Sequence, residues 1–298
     1  MNPKVIILVL NWNRKDLTMA CVESLNALHY DNYEIVVLDN FSEDGSEQAI
    51  REKFPSVTVI QNGANLGYAE GNNRGMRWAL AHGADYVFIL NNDTKADREC
   101  LANLVQVAES DSGIGILGPR PFSYSEKEKA LKYTYALNEE NLVANCTPKK
   151  EDESARDRGS YQLVDWIQGD AFFVRRKVLE TIGFFDPKYF FGFEEIDFCC
   201  TARKAGFKLG VVKLAKFWRM DGGTMARESP LRARYVARNE LLLIWKHAKG
   251  MKRLSATFYF LKRKKWEIED ECLPLENITA IFRGVLDFVL GRFGKINA

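Results

Sequence analysis

Four short strand-like runs constrain this chain more than any other feature. They are Val5–Leu10, Glu34–Leu38, Val57–Ile60 and Tyr86–Leu90, and each runs into a polar cluster. The apolar stretches barely alternate, as expected for strands buried on both faces. Helical stretches lie between them: Asp16 to about Leu28, a second that stops before Pro55, and Ala69–His82 closed by Gly83. This alternation predicts an α/β chain with a mostly parallel, doubly wound sheet. Right-handed crossovers carry every strand's carboxyl end to one edge. Ligands bind outside that edge.

The polar clusters are Asn11-Trp12-Asn13-Arg14, Asp39-Asn40, the stretch Asn65–Asn73 containing Gly67, and Asn91-Asn92-Asp93. Asp93 is a candidate metal or phosphate-side ligand, and Asn91 and Asn92 are candidate partners for a sugar or base. For that tripeptide alone a second reading stays open, a polar turn with Thr94 capping a following helix. Asp39 either binds a ribose or base N–H or caps a turn. No GxGxxG motif follows the first strand, so a dinucleotide-type phosphate loop is not supported there.

A formal net charge of +2 gives no nucleic-acid footprint. The six cysteines form no CxxC pair, which fits reduced thiols in a cytosolic protein. His29, His82 and His247 lie apart from other candidate ligands in sequence, so no histidine-rich metal site is expected. Neither a signal-peptide pattern nor an uninterrupted membrane span is found.

Ile114–Gly118 is a fifth strand. From Pro121 to about Gln162 polar and charged residues dominate, with a charge run over 149–158. This predicts a loop or β-ribbon excursion over the site. Leu163–Val174 returns as a strand and carries Trp166, Gly169 and Asp170; a helix then runs to Ile182 and ends at Gly183. Glu194, Glu195 and Asp197 follow among Phe185, Tyr189, Phe190, Phe191, Phe193 and Phe198. Acids in an apolar wall are costly unless paired or used. They also suit the first turn of a helix running to Ala205, which favours anions.

These motifs resemble glycosyltransferase family 2, and within it the bacterial rhamnosyltransferase-like branch. The resemblance rests on Val9-Leu10-Asn11-Trp12-Asn13, Val36–Ser42, Asn65–Gly75, Leu90–Thr94 and the run Gly169–Gly206, in the family's order. It implies the GT-A fold, a Rossmann-like sheet that binds a nucleotide-sugar. Asn11, Trp12, Asn13, Asp39 and Asn40 would then line the base pocket, with Trp12 as a stacking surface. Asn65, Gly67, Asn72 and Asn73 would border the diphosphate and sugar. Asn92 would touch ribose, and Asp93 would hold a divalent cation, Mg²⁺ or Mn²⁺, as the last places of a DxD motif. Glu195 takes the family's catalytic-base position, with Glu194 and Asp197 as acceptor-side or structural partners. Trp166, Gly169 and Asp170 would contact the sugars, although Asp170 also fits a hydrogen-bonded structural acid.

Two departures stand out. Only one carboxylate remains in the DxD stretch. Arg219, in Trp218-Arg219-Met220-Asp221-Gly222-Gly223-Thr224, stands where the family often has a metal-binding histidine. A guanidinium there could bind the diphosphate directly.

No Asp or Glu occurs between Leu241 and Trp266, an interval rich in lysine and aromatic residues. The segment Ile278–Phe293 has near-helical apolar spacing. Basic amphipathic helices suit an anionic membrane surface, and core-facing helices with solvated lysines fit the same pattern. The expected organisation is a GT-A domain over 1–225 and a helical region over 226–298. The expected activity is inverting transfer of a rhamnose-like sugar from a dTDP- or UDP-sugar to a saccharide acceptor, lipid-linked in this branch. The work would be done in the cytoplasm, at the inner face of the membrane, in cell-surface polysaccharide synthesis. The alternative is a non-catalytic scaffold of the same fold that binds nucleotide-sugar or glycan.

Overall fold

A computed structural model describes residues 2–126, 129–131, 135–138, 140–142, 144–145, 156–220, 229–270 and 273–296. The charge run over 149–155 and the turn residues 221–224 lie outside the described residues.

Four parallel strands form one half of the main sheet: β1 (Val5–Asn11), β2 (Tyr33–Asp39), β3 (Thr58–Gln61) and β4 (Tyr86–Asn91). Beyond them come β5 (Thr94–Ala96), β6 (Ile114–Ser123), β9 (Tyr161–Leu163), β10 (Ala171–Arg175) and β11 (Lys208–Arg219). The strand order is β3-β2-β1-β4-β10-β6-β11-β5, with β9 also on β11. A separate two-stranded ribbon joins β7 (Ala136–Leu137) to β8 (Ala144–Asn145) within the excursion.

The sheet departs from the expected pattern at two places. The predicted strand Leu163–Val174 is broken, because only its two ends pair as β9 and β10. β10 runs antiparallel between β4 and β6. Thr94 does not cap a helix; it begins β5, which pairs antiparallel with the end of β11.

Six helices flank the sheet: α1 (Lys15–Leu25), α2 (Ser46–Lys53), α3 (Gly67–Ala81), α4 (Cys100–Ser110), α5 (Arg176–Ile182) and α6 (Glu194–Lys204). Three more complete the chain: α7 (Pro230–His247), α8 (Gly250–Asp270) and α9 (Leu275–Val289). The pleat sends alternate side chains to opposite faces. Val5, Ile7 and Val9 pack toward Val22 of α1, Ile50 of α2 and Leu104 of α4. Ile6 and Leu8 pack toward Met76 of α3, with Phe185, Phe198 of α6, and Leu241 and Ile244 of α7 in the same core. One core therefore crosses the boundary drawn between 225 and 226.

α3 lies very close to the sheet because Gly71 and Gly75 face it. A Cβ on Gly71 would come within 2.8 Å of Leu10, and one on Gly75 within 2.5 Å of Leu38. A packed interior has no room for such a methyl without displacement. This close approach brings the start of α3 down onto the strand ends, where the site lies.

Candidate active site

The carboxyl ends of β1, β2 and β4 meet through side chains. Asn11 and Asp39 are register partners, and both are fully buried. Asn11 Nδ2 donates to Asp39 Oδ1 (2.8 Å) and to Ser42 Oγ (3.1 Å). Asp39 also accepts from the Ser42 N–H and hydroxyl and from Gln61 Nε2. Thr18 of α1 donates to Asn11 Oδ1 (2.7 Å), and Asn92 Nδ2 reaches both Thr18 Oγ1 (3.0 Å) and Asn11 Oδ1 (3.2 Å). Asn40 bridges to the next loop, donating to the Gly67 carbonyl and accepting from Asn62. The network satisfies polar groups whose burial would otherwise be costly.

The rim's exposed surface is aromatic. Trp12 is 39% and Phe41 53% exposed. Asn13 and Phe41 both have positive φ, a conformation uncommon outside glycine. Asn13 Oδ1 accepts from the Glu43 N–H, and Ser42 Oγ accepts from the Asn13 N–H. Asn65 accepts from the Gly67 N–H. Gly67 has φ +75° and abuts Phe190, so a side chain there would collide with the Phe190 carbonyl.

Asp93 sits in the tight connection between β4 and β5. Its carbonyl accepts from the Met220 N–H (2.7 Å). Its Oδ1 is buried with no hydrogen-bond partner among the described residues. Burial raises its pKa, and the charges of Arg219 and Arg14 oppose that rise. Asp170 lies across the strand pair. Its backbone carbonyl accepts from the Asn91 N–H and its Oδ1 from Asn91 Nδ2, while Arg219 forms an ion pair with its carboxylate. Arg219 is thus tied to one acid and acts electrostatically on another.

The second acid cluster is built differently. The loop before α6 has positive φ at Phe190, Gly192 and Phe193. It is gripped from outside by α7. Asn239 Nδ2 donates to the carbonyls of Tyr189, Phe191 and Gly192 at 2.8–3.0 Å. Buried Arg238 donates to those of Lys188, Tyr189 and Gly294. From the other side, the Tyr68 N–H donates to the Phe190 carbonyl (2.7 Å). Glu194 and Glu195 then open α6, each with a buried Oε2 lacking a partner among the described residues. Burial and the Glu195 charge push Glu194 well up; burial pushes Glu195 up to about 7 against nearby backbone N–H groups.

Tyr68 links the clusters. Its hydroxyl donates to the Gly169 carbonyl (2.6 Å). Burial raises its pKa well above the usual phenol range, and the charges of Glu194, Glu195 and Asp93 add to the rise. The one hydroxyl thus feels the charge of acids from both clusters. The sequence reading did not single out Tyr68 as a site residue; its signal was its place between Gly67 and the helix start.

Several predicted site residues are occupied elsewhere. Asn73 is buried and clamps Phe185, donating to its carbonyl (2.8 Å) and accepting from its N–H (3.0 Å). Asn72 is buried with its amide on the Tyr68 carbonyl. Trp166 is buried against Tyr135, with its ring N–H on the Ala136 carbonyl (3.4 Å). These side chains are engaged within the fold, although Asn72 Oδ1 is buried without a partner among the described residues. Asn92 keeps its place at the rim, but its amide N–H groups are turned inward.

Asp197 is also spoken for, as a structural partner. His247 Nε2 lies 2.7 Å from its Oδ1, Lys246 Nζ 2.8 Å from its Oδ2, and Tyr189 donates at 3.2 Å. Lys204 Nζ donates to His247 Nδ1 (2.8 Å), which assigns the proton to Nε2. Burial would raise the Asp197 carboxyl, but the His247 bond and the Lys246 charge outweigh it and hold it below its usual range. Fifty residues of chain hide this contact from a sequence reading.

Comparison with known proteins agrees with this architecture. The model of the glycosyl transferase family 2 domain matches residues 6–183. The low-salt glycan biosynthesis hexosyltransferase Agl10 of Haloferax volcanii is 28% identical over 59% of this chain and 55% of its own length. An N-acetylglucosaminyl-diphospho-decaprenol L-rhamnosyltransferase of Mycobacterium tuberculosis is 26% identical over 58% and 62%. The match thus spans little more than half of each relative. The mannosyltransferase PcManGT of Pyrobaculum calidifontis, solved with GDP-Man and Mn²⁺, superposes with a TM-score of 0.59 at 16% identity, covering 99% of this chain and 77% of that one. This is the GT-A fold, and the chain belongs to glycosyl transferase family 2.

Proposed function

We propose that this chain is an inverting glycosyltransferase that moves a rhamnose-like hexose from a dTDP- or UDP-sugar to a saccharide hydroxyl. The observation that carries the reading is that Asp93 and Glu195 each keep one buried carboxylate oxygen without a partner among the described residues, and the charges of both act on Tyr68. A carboxylate lifted to about 7 is poised as a general base near neutral pH. Glu195 takes the proton of the acceptor hydroxyl as its oxygen bonds to the anomeric carbon. The bond from that carbon to the diphosphate oxygen breaks, and its electron pair leaves with the nucleoside diphosphate. One base and no second nucleophile predict inversion.

Among the described residues no cluster of three or more His, Cys, Asp or Glu is placed to hold a metal. The orphaned Oδ1 of Asp93 fits a divalent cation as a single protein ligand, with diphosphate oxygens completing the shell. Such an ion, Mg²⁺ or Mn²⁺, would neutralise charge on the leaving group. Arg219, already beside Asp93 and Asp170, would supply part of the same neutralisation. Trp12 would stack on the base, and Asp39 and Asn11 would shape its pocket. The Mycobacterium relative is named for a lipid-linked acceptor, which supports a lipid-linked acceptor here. The enzyme would then work on the inner face of a cytoplasmic membrane.

The test is a donor screen over nucleotide-sugars with divalent metal added and chelated. Turnover of at least one donor with inverted product is expected, reduced but not abolished by chelation. Tight nucleotide binding without turnover of any donor would favour the non-catalytic scaffold.

A further inference from the structure

α8 uses one face for packing and leaves the other bare. Ala256 and Phe260 are buried, and Arg263 pairs with Glu240 of α7 and with Glu267. The Arg253 guanidinium lies 5.1 Å from the Trp245 ring centroid. These contacts fix the inward side. On the outward side Met251 is 79%, Leu254 61%, Phe258 69% and Leu261 50% exposed. Their spacing of three, four and three residues puts them on one stripe. Trp266 is 56% exposed beside it. α9 carries a second such stripe in Phe282, Leu286 and Val289. Folded proteins rarely leave contiguous apolar surface of this kind in water without a partner.

The charge on α8 selects the partner. Lys249, Lys252, Lys262 and Lys265 are exposed, and no acid occurs from Lys249 to Trp266. Among the described residues neither Lys249, Lys252 nor Lys262 reaches a carboxylate. Lys262 and Lys265 fall on the outward face itself, one and two turns beyond Phe258, Lys265 with an exposed ion pair to Glu269 (3.7 Å). A second copy of the chain would set these lysines against their own kind. An anionic bilayer accepts both features, the side chains entering the acyl boundary and the lysines snorkelling to headgroups. No helix among the described residues is long and apolar enough to cross a membrane, so the contact is one of lying on a surface.

We infer that the outward face of α8, from Met251 to Trp266, is a docking surface for an anionic membrane. This deepens the lipid-acceptor reading by naming the surface, while its own evidence is independent of catalysis. Each basic residue near an anionic surface strengthens binding by about fivefold.

The test is flotation of the full chain with phosphatidylcholine vesicles with and without phosphatidylglycerol, at low and high salt. The chain should float with anionic vesicles, several-fold less with neutral ones and less in high salt. The double variant Leu254→Glu/Phe258→Glu should lose flotation by roughly a hundredfold, with unchanged thermal unfolding because both side chains are exposed. Lys262→Glu/Lys265→Glu should lose it only on anionic vesicles. Failure of the unaltered chain to float, or equal flotation of both variants, overturns the inference. So does a dimer in light scattering that Leu254→Glu/Phe258→Glu dissociates, without vesicle binding. Flotation with no sugar transfer would sink the transfer reading alone; transfer to a soluble acceptor without flotation would sink the membrane surface alone.

Discussion

The polar network at the strand ends and the acid pair that opens α6 are held by opposite means. At the donor rim Asn11, Thr18, Asp39 and Asn92 satisfy one another within a few residues of their own strand ends. At the start of α6, Glu194 and Glu195 each have an oxygen without a partner among the described residues, and their loop is fixed from outside by Arg238 and Asn239. A self-satisfied network gives a rigid, nearly neutral platform. An unsatisfied, desolvated carboxylate gives a raised pKa and a stored tendency to react. The difference shows how one site can hold binding and reactivity apart.

The comparison breaks first at Glu195. Glu195→Gln keeps the shape and removes the base, so transfer should fall about a thousandfold while nucleotide affinity stays within about twofold. A Glu195→Gln chain with undiminished transfer would remove the distinction between the clusters. Asn239→Ala comes next. It takes the side-chain donor from the Phe191 and Gly192 carbonyls, while Arg238 still reaches that of Tyr189, which should destabilise the fold by about 2–4 kcal/mol in urea unfolding. An Asn239→Ala loss confined to activity, with stability intact, would mean the grip matters only to the loop.

The pH profile sharpens the same contrast. Glu195 must be ionised to accept a proton, and burial has raised it to about 7. kcat/KM should therefore fall about tenfold per pH unit below that point and level off above it. An acid limb near the ordinary carboxylate range would show that water reaches Glu195 freely. The smallest effect is expected at Trp12. Removing its exposed ring in Trp12→Ala should raise the donor KM by about fivefold, with kcat unchanged.

The rim was legible because its signal is local. Each of Asn11, Asp39 and Asp93 follows a buried strand directly, and the parallel register brings Asn11 opposite Asp39. The acids at the start of α6 were legible as a helix opening. What surrounds these residues was not. Periodicity cannot show that β10 inserts antiparallel beside β4, since both directions bury the same apolar run. It cannot pair His247 with Asp197, or aim Asn239 at a loop nearly fifty residues earlier, because those contacts exist only after α7 has packed. The inward contacts of Trp166 and Asn73 were hidden for a related reason: polar or aromatic residues near a motif also serve as clamps beneath it.

The grip of α7 also bears on modularity. Leu241 and Ile244 share a core with Phe185 and Phe198, and Arg238 reaches the carbonyl of Gly294 near the far end of the chain. A version trimmed before α7 would therefore be no minimal enzyme, since the cut would open the core and free the loop that aims Glu195. In this molecule the cooperative unit therefore takes in α7 together with the sheet, rather than the sheet and its flanking helices alone.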